Sequence, residues 1–508
     1  MKVRLMHPDE DFEADGPRAP ECDALSEDLG LDVMFAAMAD GDKFVLGVAK
    51  AAVLSPSAPS EVILYRQQVL ADCFAHPDFV RELYTLAQEA LESHKKVTFR
   101  SSNPPPESLR YYSVQSCELF LGYLARVRQL AEEHSPGLAS PALVRLCSTL
   151  SRHLDDVYLK ALEGCVNELK LPRGLLMSAH LGRANRGTGY VLHRAPPAGL
   201  RQRLSLRADA GYSFDVPDRD SKAVRALADL RARGTNIAAN ALAQAVDHIR
   251  GFFGSLRTEL AFYIGCLNLR RALAAKGEPV CTPVALVGDG PGLVAQGLYD
   301  PGLSLRIAPR AIGNDVNADG KALVVVTGAN RGGKSTFLRS VGLAYLMMQC
   351  GMFVAATSFA AHPCRRVFTH FKRDEGPSME RGNLDEELAR MSATVSDISP
   401  GCLLLCNEPF ASTNEREGSD IGRQVFVPLA RAGVNVFLVT HLFDLAESLY
   451  GSGNDSALFL RAPRQSGTEP FRLLPGAPEP TAYGEDVYTR VWGAPPAGAP
   501  DRSPDGSD

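Results

Sequence analysis

The chain has 508 residues, too many for a single hydrophobic core, so at least two domains are expected. An apolar fraction of 45% with 22% charged residues is that of an ordinary globular protein, and a formal net charge of −5 excludes a surface coated in basic residues. Any contact with nucleic acid is then local, or made by a dimer with asymmetric charge.

Eleven cysteines are scattered along the chain without a CxxC pair, so neither a disulfide framework nor a zinc ribbon is suggested. Met1 to Asp28 is acidic rather than basic-then-apolar, and no apolar run approaches the length of a membrane span. No signal peptide and no membrane are read, and the expected compartment is the cytoplasm.

The first two dozen residues are polar and interrupted by Pro8, Pro17 and Pro20, so a loosely held segment is expected there. Helical patterning begins at Leu25 and is strong from Glu61 to Glu92, where Ile63, Val69, Leu70, Phe79, Val80 and Leu83 belong to one broad apolar stripe. Pro77 divides that stretch into two helices. After the loop marked by Pro104-Pro-Pro106, Tyr111 to Glu133 and Pro141 to Leu171 read as further helices. Gly174 to Leu181 and Gly189 to His193 then read as two strands, joined by a glycine-rich loop that carries Arg183 and Arg186. Those arginines either touch phosphates or face solvent in an ordinary turn.

From Asn236 to Ala275, Leu242, Val246, Ile249, Phe253, Leu256, Leu260, Tyr263 and Leu267 alternate four- and three-residue steps, the spacing of a coiled coil. A helix of that length serves either as a rigid lever or as a buried support, and Gly277 and Pro279 end it. Beyond a Gly-, Pro- and Asp-rich loop (Val287 to Leu293) the pattern changes to strands alternating with helices, which predicts an α/β domain. Strands are expected at Ala322 to Thr327, Phe353 to Ala356, Arg366 to Phe371, Cys402 to Cys406 and Val434 to Thr440. Cys402 and Cys406 share one face of the fourth of these, for buried packing or, less simply, for metal. The Pro-, Gly-, Ser- and Asp-rich tail from Pro495 to Asp508 is expected to be disordered.

The stretch that organises the second half is Ala322 to Phe337. A β-branched run breaks into Gly328-Ala329-Asn330-Arg331-Gly332-Gly333-Lys334-Ser335-Thr336 and then reads as a helix, which is the spacing of a P-loop. The glycines let backbone N–H groups turn onto a β-phosphate, Lys334 reaches the β and γ oxygens, and Ser335 offers a hydroxyl to Mg²⁺. Residues 328 to 336 are therefore the candidate nucleotide-binding set. Leu403-Leu-Leu-Cys-Asn407-Glu408 is an apolar strand ending in two polar residues, with Glu408 placed to align or deprotonate an attacking water. Asn407 stands where an aspartate usually holds the Mg²⁺ shell, which predicts weaker Mg²⁺ affinity and slow turnover. Val436 to His441 ends a strand on a histidine able to donate to a γ-phosphate.

Read together, Thr327 to Thr336, Gly351 to Ala356, Val367 to Thr369, Asn407-Glu408, Ser412 to Arg416 and Thr440 to Leu445 resemble, in this order, the ATPase domain of MutS family proteins. The resemblance runs from Gly313 to Leu449. It implies ATP with Mg²⁺, and a dimeric site in which a serine of one subunit contacts the γ-phosphate held by the other. Ser378 is the candidate for that serine; an ordinary loop serine is the other reading. Arg331, where the family commonly has methionine, and Asn407 depart from the pattern. Ile63 to Leu70 is more weakly similar to the family's arginine-bearing core helix, and the heptad helix to its lever. No phenylalanine is followed two residues later by glutamate, so the wedge of the mismatch readers is not expected.

The fold class implied is α+β and multidomain: a mainly helical core and lever region over 1–284, an α/β P-loop ATPase domain over 285–490, and a tail over 491–508. The function implied is a dimeric, ATP-gated clamp on DNA, gripping backbone and shape in repair or recombination. A nucleotide-dependent switch that binds protein or RNA, and a scaffold with weak hydrolysis, are the alternatives.

Overall fold

The computed structural model describes residues 1–16, 22–97, 104–172, 174–194, 215–217, 219–288, 290–373, 383–453, 455–462 and 471–479. Ser378 and the tail lie outside the described residues. The chain divides into two compact units, each made of two stretches: Met1–Ala14 with Gln68–Leu267, and Asp15–Gln67 with Asn268–Asp508.

The first unit is mainly helical. Pro77 starts the helix Pro77–Val97 directly after Ser60–Ala75, as its fixed φ and missing donor favour. Pro106–His134 follows, and the expected helix from Pro141 to Leu171 is two, Pro141–His153 and Asp156–Leu169. The break comes where the Asp155 carboxylate caps the second helix, accepting from Tyr158 N. Stacked rings of His94, Phe120 and Phe253 form part of the core. Of the polar start, residues 17–21 lie outside the described residues, and the first few residues are held in place. Val3, Leu5 and Met6 are buried, the Glu259 carboxylate accepts from the N–H groups of Leu5 and Met6, and Tyr263 Oη donates to Leu5 O. Polar composition hid this because three apolar residues suffice when a buried carboxylate satisfies their backbone.

Strands β1 (Leu176–Leu181) and β2 (Gly187–His193) pair antiparallel, with an irregularity between Ser178 and His180. Gly182 N donates to Arg186 O and closes the turn bearing Arg183 and Arg186. The long helix is Ser221–Ala275, fifteen residues longer at its start than the heptads predict.

In the second unit, a six-stranded sheet has the order β12–β11–β6–β10–β9–β8: Leu474–Pro475, Ala457–Ala462, Leu323–Gly328, Asn435–Val439, Leu403–Asn407 and Val367–Phe371. All neighbours are parallel except β12, an antiparallel edge. β6 and β10 are buried along their whole lengths, and β9 except at Asn407, which is why their sequences are unbroken apolar runs. A smaller sheet, β3–β7–β4–β5, comprises Val284–Ala285, Ser358–Ala361, Leu293–Leu298 and Asn314–Asn317.

The strand expected at Phe353 to Ala356 is not formed. Only Val354 bridges, to Cys281, and β7 begins at Ser358. That run is apolar because it is buried, and burial alone does not make a strand. Cys402 and Cys406 are buried in the core cluster around β9, and burial pushes the Cys406 thiol upward. They pack there as small apolar side chains.

Candidate functional site

β6 lies between β10 and β11, and the chain leaves its carboxyl end at Gly328 with φ 108°. Only glycine suits this position: a Cβ would stand 2.4 Å from Ala462 O as well as taking a left-handed backbone. Arg331 (φ 61°) and Gly333 (φ 86°) complete a tight loop, and the helix Lys334–Gln349 starts with no side-chain cap. Asn330 to Thr336 line a cleft of about 470 Å³, together with Glu408.

Lys334 is only 4% exposed. Its Nζ donates to Gly328 O at 2.9 Å and to Ala329 O at 3.0 Å, so the side chain folds back along the loop. Burial lowers its pKa to about 8, partly opposed by the Glu408 carboxylate. Ser335 Oγ donates to Asn407 Oδ1 at 2.8 Å, joining the start of the helix to the end of β9. Glu408, the next residue, has φ 55°, and its N–H donates to Val439 O at the end of β10. Its carboxylate lies 2.6 Å from His441 Nε2. The His441 hydrogen bond, stronger here than the opposing burial, holds the Glu408 carboxyl below its ordinary range.

Lys334, Ser335, Asn407, Glu408 and His441 thus form one connected group at the carboxyl ends of β6, β9 and β10. Asn407 and His441 stand behind the cleft and touch it through Ser335 and Glu408.

The sequence did not point to an apolar wall of the cleft: Leu303, Ile307, Pro309, Ile312 and Phe471. Phe471, at φ 70°, is fixed by Asn314, which accepts from Leu473 N and donates to Phe471 O. No local pattern signals this wall, because its residues at 303–312 meet Phe471, about 160 positions further along the chain.

Fold and cleft define a mixed helical and sheet protein whose pocket lies where open parallel sheets place their ligands, outside the carboxyl ends of the central strands. Residues 58–276 match the family model described as MutS2 N-terminal domain, and residues 324–466 match MutS domain V. The chain belongs to the MutS family. It is 26% identical to the DNA mismatch repair protein MutS of Chloroflexus aurantiacus over 43% of this chain and 23% of that protein. Identity to the MutS of Thermotoga maritima is 32%, over 28% of this chain and 18% of that one. An endonuclease MutS2 from an Anaeromyxobacter species is 30% identical over 36% of this chain and 23% of its own length. The chain therefore spans a quarter or less of the length of these relatives.

Proposed function

We propose that this chain binds ATP with Mg²⁺ in the cleft, hydrolyses it slowly, and uses the cycle to gate a dimeric grip on DNA. The observation that carries the reading is the convergence on one cleft of a buried lysine, a Ser–Asn pair and a Glu–His pair. The residues fit the nucleotide. A buried ammonium held only by carbonyls calls for an anion, and the Ser335–Asn407 pair offers two neutral oxygens to a hydrated cation. The apolar wall suits the flat base of a nucleotide.

Bound Mg²⁺ would neutralise phosphate charge. Lys334 would turn from the loop carbonyls to the phosphate oxygens. Glu408, kept ionised, would accept the proton of an attacking water once His441 leaves it to donate to the phosphate. Asn407 orients the Ser335 hydroxyl without adding a negative charge. The DNA part of the reading draws on the relatives' names and on the match of 58–276 to the MutS2 N-terminal domain. The dimer, with Ser378 reaching the partner's nucleotide, draws on the family resemblance.

Glu408→Gln is expected to bind ATP as the parent does and to lose turnover at least about 100-fold, whereas Lys334→Ala loses binding itself. Phosphate release and a fluorescent-nucleotide titration read the two effects separately. Hydrolysis at the parent rate in Glu408→Gln would sink the assignment of the base. For DNA, titration of matched, mismatched and branched duplexes with and without ATP is the test, and a binding constant indifferent to ATP would refute gating.

A further inference from the structure

Behind the cleft lies a second carboxylate that the mechanism above does not use. Glu387, on the helix Asn383–Asp397, is buried, and its two oxygens reach forward to the segment that follows the base. Oε1 accepts from Phe410 N at 2.6 Å and Oε2 from Ser412 Oγ at 3.0 Å. His370 Nε2, at the end of β8, lies 3.5 Å from Oε1, without good hydrogen-bond geometry. Burial alone would raise the Glu387 pKa, but His370, the Phe410 N–H and the Ser412 hydroxyl together outweigh it and lower it.

The segment held this way is under strain. Glu408 and Phe410, on either side of Pro409, both take left-handed backbone, at φ 55° and 60°. Neither is glycine, and such conformations persist only where surroundings enforce them. From one side the enforcement is the bond from Glu408 N to Val439 O; from the other it is the Glu387 carboxylate on Phe410 N, with the Phe410 ring fully buried beside it. A charged acceptor makes a shorter and stronger bond than a neutral one.

From this we infer that Glu387 is a positioning residue for Glu408: it fixes the turn that aims the general base and touches neither nucleotide nor water itself. The inference rests on Glu408 being the base of ATP hydrolysis.

The test is single-turnover ATP cleavage, with nucleotide affinity measured in parallel. Glu387→Gln keeps the shape but replaces the charged acceptor by an amide. Its cleavage rate is expected to fall roughly 10–100-fold with affinity unchanged, as a misaimed base requires. Ser412→Ala, a milder change that keeps Glu387 intact, is expected to lose only a few-fold. The double variant should be no slower than Glu387→Gln alone, because both act through one carboxylate. Parent cleavage rates in both single variants would overturn the inference, as would a loss confined to affinity or losses that multiply. Should Glu387→Gln not fold, Ser412→Ala with unchanged affinity decides the matter by its rate. Glu408→Gln, run alongside, separates the two claims. If it cleaves ATP at the parent rate, the base assignment itself has failed; if it is inactive while the Glu387 and Ser412 variants are not, only the positioning role has.

Discussion

Burial of Lys334 gives the proposed nucleotide binding a pH limit that can be worked out from the structure. The amine sits at 4% exposure with two carbonyl partners, and its pKa is down at about 8. Phosphate binding needs the ammonium and stabilises it, so ATP binding above that pH takes up a proton. At pH 7 about nine in ten molecules carry the charge; at pH 9 about one in eleven does, so affinity should fall about tenfold between the two. The empty protein moves the other way. Its folded pKa lies below the unfolded value, so between about pH 8 and 10.5 the unfolded chain holds the extra proton and stability rises with pH. Fluorescent-nucleotide titrations at half-unit steps from pH 6.5 to 9.5 measure the first effect, with Lys334→Arg as the control that stays charged. Affinity flat to pH 9.5 in the parent, or falling equally in the arginine variant, would refute the argument.

Asn407→Asp keeps the oxygen that Ser335 donates to and adds a negative charge, so half-saturation of ATPase by Mg²⁺ should move to roughly tenfold lower concentration; an unchanged Mg²⁺ titration would show that this side chain does not face the metal. In Glu408→Gln protein, ATP should drive monomer to dimer in sedimentation, and Ser378→Ala should weaken that shift by about tenfold, the worth of one charge-assisted hydrogen bond. A trapped protein that stays monomeric at every ATP concentration would end the composite-site reading.

Much of the cleft was legible because the residues that line it between 328 and 336 stand together in the sequence at a recognisable spacing. The glycines of 328–333 announce a turn after a β-branched run, and the backbone takes positive φ at Gly328 and Gly333. Asn407 and Glu408 could be placed because an apolar run that suddenly turns polar marks the end of a buried strand. Periodicity failed where burial failed: residues 221–235 of the long helix are mostly exposed, so no apolar stripe marks them, and the heptads begin only where packing does. Phe353 to Ala356 misled for the opposite reason, being apolar through burial and not through sheet pairing. The Glu387 contact was invisible because one of its partners is a main-chain N–H, which any residue at 410 would supply. Nor does anything local reveal that Leu29 packs against Gly342 in the unit holding the cleft.

The interleaving of the two units has a consequence for synthesis. A ribosome delivers 15–67 before 68–267, yet residues 15–67 belong to a unit whose remainder begins at Asn268, and the body of the other unit, 68–267, is made in between. The unit completed first is therefore the one whose main stretch emerges second, and even it must wait for Glu259 before Leu5 and Met6 have a partner. Domains usually fold in the order of their emergence. Here the helices Cys22–Leu29 and Lys43–Val53 lack their contacts with the helix Lys334–Gln349 until translation has passed the glycine loop at 328.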